Sequence, residues 1–154
     1  MRTIGCALVL ASVVGGTAAH SQERSLWTAF DTATMAFTGD IYSLTDDGMD
    51  FQFGSVSFEP VASHEGIYRI TSPFAKIGPG GQNWVCPPSG AQPTYLARIE
   101  YKPTDEWETA PRALALLAFT GSAVPPPSVL RYPDVPLEDV PGYCMSFAYR
   151  TPLP

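Results

Sequence analysis

The sequence predicts an all-β domain, a small antiparallel β-barrel or sandwich of about seven or eight short strands with one disulfide. Three observations predict it. Apolar residues recur at a spacing of two in one segment after another. Sixteen prolines and thirteen glycines in 154 residues cut the chain into short pieces and disfavour long helices. Once an export segment is removed, only Cys86 and Cys144 remain, and two lone cysteines in an oxidising compartment pair.

The export segment is residues 1–21. Met1-Arg2 is a short basic start, Ile4 to Val14 an apolar run, and Gly15-Gly16-Thr17-Ala18-Ala19 a small-residue cleavage zone. Cleavage after Ala19 or after Ser21 both fit; the second leaves Gln22 first. The apolar run is shorter than the ~20 residues a bilayer requires, so no membrane span is expected. Cys6 lies inside the run rather than after it and reads as filler. The remaining chain, residues 22–154, is expected to form a single domain. When Arg2 leaves, the nine basic residues fall to eight against fifteen acidic ones, a net charge of −7. That charge repels phosphate backbones, which disfavours nucleic acid, and it suits a cationic partner or simple solubility.

Residues 22–36 do not alternate and read as a short helical turn or an irregular arm anchored by Leu26, Trp27 and Phe30. From Phe37 the period becomes two. Asp47-Gly48, between Asp40–Leu44 and Met49–Phe53, predicts a two-residue hairpin loop that sets Leu44 against Phe51 and Tyr42 against Phe53. The apolar positions then change parity to Val56 and Phe58, and Gly54 at the switch predicts a bulge or sharp bend. Glu59-Pro60 ends that strand.

Gly66–Thr71 is the next strand, and Tyr95–Tyr101 is the cleanest. There Tyr95, Ala97, Ile99 and Tyr101 are expected inward, with Arg98, Glu100 and Lys102 in water. Residues 76–93, with Gly78-Pro79-Gly80-Gly81 and Trp84, read as a long loop pinned by Cys86. Ala113–Phe119 is apolar on both faces. Its length suits a buried strand and its alanine and leucine content a short helix; Pro111 and Thr120-Gly121 bound it tightly and favour strand. Pro125-Pro126-Pro127 and the proline-spaced stretch to Pro141 read as an extended surface connection. The last strand is Tyr143–Arg150, with Met145, Phe147 and Tyr149 on one side. A Cys86–Cys144 bridge would tie it to the loop before the Tyr95 strand. In the chain-entropy picture, closing that loop is worth about 4 kcal/mol.

The inventory for chemistry is thin. No catalytic, cofactor-binding or metal-binding residues stand out. His64, between Ser63 and Glu65, reads as a solvated loop residue. The chain has no G-x-S-x-G, no H-E-x-x-H and no zinc-ligand spacing. Asp46, Asp47 and Asp50, with Asp40 across the hairpin, offer hard oxygen ligands, yet their spacing is not that of a calcium loop, and they read as solvated turn formers. Trp27, Trp84, Trp107 and the seven tyrosines read as core and rim of a β domain ahead of a ligand cavity.

Thr38-Gly39-Asp40-Ile41, the Asp-rich hairpin, Gly66-Ile67-Tyr68-Arg69-Ile70-Thr71-Ser72-Pro73, Trp84-Val85-Cys86 and Cys144-x-x-Phe147-x-Tyr149 occur in that order. Together they resemble a family of small exported proteobacterial proteins of unknown function. The likeness spans roughly residues 35–150. A glycine follows each cysteine in that pattern, where Pro87 and Met145 stand here. The resemblance implies a β fold and an exported location and supplies no activity. The chain is also analogous to periplasmic inhibitors of c-type lysozyme, small disulfide-bearing β-barrels whose acidic surface meets a basic enzyme. The function expected is therefore that of a periplasmic or secreted, non-catalytic β-barrel binding a protein or small ligand. The alternative is an inhibitor of a cationic hydrolase such as c-type lysozyme. No cofactor is expected.

Overall fold

The computed structural model describes residues 25–72, 86, 90–102 and 112–152. The expected export segment, residues 1–21, together with most of the 76–93 loop, Trp84 and Trp107, lies outside them. Eight strands form one antiparallel sheet, as the alternation predicts. They are β1 Thr28–Ala29, β2 Ile41–Leu44, β3 Gly48–Phe51, β4 Gly54–Pro60, β5 Ile67–Ile70, β6 Tyr95–Tyr101, β7 Ala113–Phe119 and β8 Tyr143–Arg150. A short helix, α1, spans Thr32–Phe37, and a 3-10 helix spans Pro127–Arg131. The strand order is β1-β8-β7-β6-β5-β4-β3-β2. Trp27 bridges Ile41, its N–H donating to Ile41 O at 3.1 Å and its carbonyl accepting from Ile41 N–H at 2.9 Å. That contact joins the first and last strands of the sheet into a nearly closed barrel, which leaves little open edge.

Two apolar layers share the sheet. Inside the barrel lie Trp27, Ile41, Met49, Phe51, Val56, Phe58, Tyr68, Leu96, Leu114, Leu116, Phe147 and Tyr149. Outside, Ile67, Tyr95, Ala97, Ile99, Ala115, Leu117 and Phe119 pack against Val129 and Leu137. Val129 and Leu137 belong to the connection between β7 and β8. That connection is thus a second layer over β5, β6 and β7, where the sequence suggested a surface linker. Its return is fixed at Gly142, whose φ is 79°. A side chain at that position would collide with the Thr120 carbonyl, while Thr120 N–H donates to Gly142 O at 2.7 Å.

The covering layer explains β7. Every residue from Ala113 to Phe119 is buried, because one face lines the barrel and the other lies under the strap. A strand dry on both sides has no reason to alternate. It also inverts the expectation for β6. Tyr95, Ala97 and Ile99 are buried as expected, but they face the strap, and Leu96 is the β6 residue in the barrel layer.

The hairpin register differs from the one expected. Leu44 pairs with Met49 and Ile41 with Phe51, with a shift between Ile41 and Ser43. Thr45 N–H donates to Gly48 O at 2.9 Å, so Asp46-Asp47 is the turn. Gly48 belongs to β3, where a side chain would press on the Val56 carbonyl at 3.0 Å; it serves close strand approach, not the turn. The extra residue near Tyr42 lets Ile41 and Leu44, three apart, both reach the inner layer. Gly54 is likewise no bulge: Phe51 pairs with Gly54, so the chain reverses at Gln52-Phe53. The parity change comes from that reversal.

Of the three anchors expected in residues 22–36, only Trp27 is buried. Helix α1 is held by hydroxyls instead. Asp31 caps it, accepting from Thr34 N–H at 2.8 Å and Thr34 Oγ1 at 2.7 Å. Thr34 Oγ1 accepts in turn from Ala148 N–H of β8 at 3.0 Å. Cys86 and Cys144 form the disulfide, with Cα atoms 5.3 Å apart, tying the segment before β6 to β8.

If the strap is a true core layer, Leu117→Ala, on the strap side, destabilises by as much as Leu116→Ala, on the barrel side: about 2–5 kcal/mol each. Urea unfolding measures both. A Leu117→Ala loss under ~0.5 kcal/mol, the level of a surface change, contradicts the two-layer account. The disulfide predicts no titratable thiol at Cys86 or Cys144 in the native protein, and Cys86→Ser with Cys144→Ser is expected to cost about 2–5 kcal/mol.

Candidate functional site

The densest polar arrangement lies where the β2–β3 turn reaches past β4 and β5 to β6. Arg98 follows Leu96 at a spacing of two and so points to the barrel side of the sheet. Its guanidinium stacks on the Tyr68 ring, 4.9 Å from the centroid. Nη1 donates to Thr45 O at 3.0 Å and Nη2 to Asp46 Oδ1 at 3.0 Å. The Tyr68 hydroxyl donates to the same Asp46 oxygen at 3.2 Å. Tyr68 in turn packs on Phe58, centroids 4.9 Å apart. Burial raises the Tyr68 phenol above its ordinary pKa; Arg98 opposes this, and the Asp46 hydrogen bond adds to it. A neutral phenol, a paired carboxylate and a paired guanidinium form a clamp, with each group satisfied by the others.

The second arrangement is buried. The hydroxyls of Thr38 and Tyr149 are 2.6 Å apart and hydrogen-bonded. Tyr149 is 1 % exposed and Thr38 also 1 %. Burial drives the Tyr149 phenol far above the usual range, the Thr38 bond opposing and the Asp31 and Asp40 carboxylates reinforcing it. A phenol held so firmly in its protonated form is no base or nucleophile at neutral pH.

The predicted turn formers separate into different tasks. Asp46 joins the clamp. Asp40 accepts from Ala29 N–H at 2.9 Å, Asp47 accepts from the Thr45 hydroxyl, and Asp50 is exposed on β3. No cluster of three or more histidine, cysteine or acidic side chains able to hold a metal occurs among the described residues. His64 is half-buried in the β4–β5 connection, with Nδ1 2.7 Å from Ser63 Oγ. The Cys86–Cys144 pair is a structural tether, with Cys86 1 % exposed. Trp27 carries Arg112 over its ring at 5.6 Å, and Arg112 is ion-paired to Glu100.

Sequence reasoning placed Arg98 in water and so missed its clamp with Tyr68 and Asp46, while Glu100 is exposed as expected. The only signal available was two charged residues on the Leu96 side of an otherwise apolar strand. No family model, no curated protein and no solved structure matches this chain. Among the described residues, no helix is long and apolar enough to cross a membrane.

Tyr149 gives a signed pH dependence. Unfolded, its phenol ionises near pH ~10; folded, it keeps its proton. The folded state therefore binds more protons above that pH, so the contribution of Tyr149 is fully present and independent of pH below about 10 and is lost as pH rises past it. Tyr149→Phe is expected to flatten that alkaline loss while costing about 0.5–1.5 kcal/mol at neutral pH for the lost hydrogen bond. Denaturant midpoints measured from neutral to strongly alkaline pH check it. A variant curve parallel to wild type rules the account out.

Proposed function

We propose that this is an exported, non-catalytic binding protein, periplasmic or secreted, whose partner is a cationic protein. The export segment, the disulfide and the two cysteines' place in the fold support the compartment. The disposition of charge supports the partner, and one observation carries it. Three of the described arginines are turned onto the protein's own groups, Arg69 onto Glu59, Arg98 onto Asp46 and Arg112 onto Glu100, while Lys102, Arg131 and Arg150 take part in no ion pair among the described residues. Asp47, Asp50, Glu65, Asp134, Glu138 and Asp139 are exposed and take part in no ion pair among the described residues. Each pair cancels one charge of each sign, so the unpaired charge keeps the sequence's excess of acids over bases, and the surface is negative. Such a surface accelerates encounter with a basic protein and favours its docking.

A small ligand inside the barrel fits less well. Ile41 and Leu114 are 0 % exposed, and Phe147 and Tyr149 are 1 %. Side chains lining a void large enough for water would show accessible surface, and these do not. Inhibition of a cationic hydrolase such as c-type lysozyme is the specific form of the proposal. Processed protein is expected to lower the activity of a cationic lysozyme at low salt, with the effect fading as salt rises. No inhibition at micromolar protein removes that form.

A further inference from the structure

The strap, residues 120–142, is attached to the barrel in two different ways along its length. At its roots it is hydrogen-bonded. Thr120 N–H donates to Gly142 O at 2.7 Å, Thr94 Oγ1 to Gly121 O at 2.6 Å and the Tyr95 hydroxyl to Ser122 O at 3.3 Å. Tyr143 N–H donates to Val140 O at the other root. Between the roots the bonding turns inward. Val129 N–H donates to Pro126 O, Tyr132 N–H to Val129 O, Asp134 N–H to Arg131 O and Val140 N–H to Leu137 O. Among the described residues, no hydrogen bond, ion pair or disulfide runs from residues 123–139 to the sheet.

Apolar burial holds that span down. Val129 is 0 % and Leu137 5 % exposed, with Val124, Leu130 and Val135 partly buried beside them. Tyr132 meets the Tyr101 ring edge-on, centroids 6.4 Å apart. The barrel beneath makes its own bonds without the strap. β7 is paired along its whole length with β6 and β8, and the Trp27–Ile41 bridge closes the cylinder. Lifting the strap therefore breaks no ladder bond; what opposes it is the apolar area that water would reach.

We propose that the strap is a lid, hinged at the Thr120–Gly142 pair, that lifts as one unit while the barrel stays closed. Proteins open in units whose boundaries fall where backbone bonding does not cross, and here that boundary runs between strap and sheet. Both hinge ends carry a glycine in the left-handed region, Gly121 at φ 94° and Gly142 at φ 79°. Opening uncovers the outer face of β5, β6 and β7, where Ile67, Ala97, Ile99, Leu117 and Phe119 form an apolar surface. β7 keeps its ladder bonds and its barrel-side layer in the open form and loses only the outer one. The molecule thus holds an apolar face that its resting exterior does not show.

Native-state hydrogen exchange in low urea tests this. The Val129, Tyr132, Asp134 and Val140 amides are expected to exchange through one shared opening. Its rate rises with urea, because apolar area is exposed, and it is about tenfold or more faster than exchange at Ile41 and Arg98 of the barrel. Leu137→Ala speeds the four strap amides together by about tenfold or more. Leu116→Ala, on the barrel side, speeds Ile41 and Arg98 and leaves the strap amides unchanged. Strap amides that exchange one by one without urea dependence overturn the proposal, as do strap amides that keep pace with the barrel. The urea dependence is read on the unsubstituted protein, so a variant that fails to fold leaves the test intact. No partner protein enters the experiment, and its failure leaves the binding function untouched.

Discussion

The covering of β7 on both faces is the constraint on which the rest of the fold depends. Leu114 and Leu116 project into the barrel, and Leu117 and Phe119 project away from it. A single-layer barrel would leave the second pair in water. The strap bearing Val129 and Leu137 exists to cover them, and Gly142 exists to bring that strap back into β8. The central strand is thereby locked between two apolar layers. Its register with β6 and β8 is specified twice over, since a slip by one residue would misplace side chains in both.

Around this centre the polar groups work as fasteners. Thr34 and Thr38 hold α1 to β8 and Tyr149, and Asp46 holds the β2–β3 turn to Arg98 and Tyr68. Each donor meets an acceptor on a distant part of the chain, and no buried side-chain nitrogen or oxygen among the described residues lacks a partner. Two of the tyrosines are consumed in this way, with phenols shifted away from ionisation. Three arginines go the same way, to acids and aromatic rings. The negative character of the surface comes from the excess of acidic over basic residues, which these pairings leave unchanged because each also neutralises an acid.

The strands, the order of the elements and the disulfide were legible because each rests on a local pattern. Phe147 and Tyr149 share a face in β8 as their spacing required, and Ala113–Phe119 is a strand as its bounding turns required. What escaped was anything set by a second layer. Alternation in β6 identified Tyr95, Ala97 and Ile99 as buried, yet it could not distinguish a barrel interior from the underside of a strap. The Asp47-Gly48 pair invited a tight turn, but the glycine was needed one position later for strand approach and Asp46 was needed at the tip for Arg98. The clamps joining Asp46 to Arg98 and Thr38 to Tyr149 span 52 and 111 residues, and no local pattern announces a partner so far away.

The strand order has a further consequence for how the molecule comes into being. β1, near the start of the chain, is laid between β8, at its end, and β2. A polypeptide emerging from its N-terminus onward, from a ribosome or through a translocation pore, thus cannot seal its cylinder until residue 150 is free. Until then Trp27 and Ile41 have no finished wall to close against, and Cys86 has no Cys144 to meet. Closure waits for β8, and formation of the cystine reports that Cys144 has arrived.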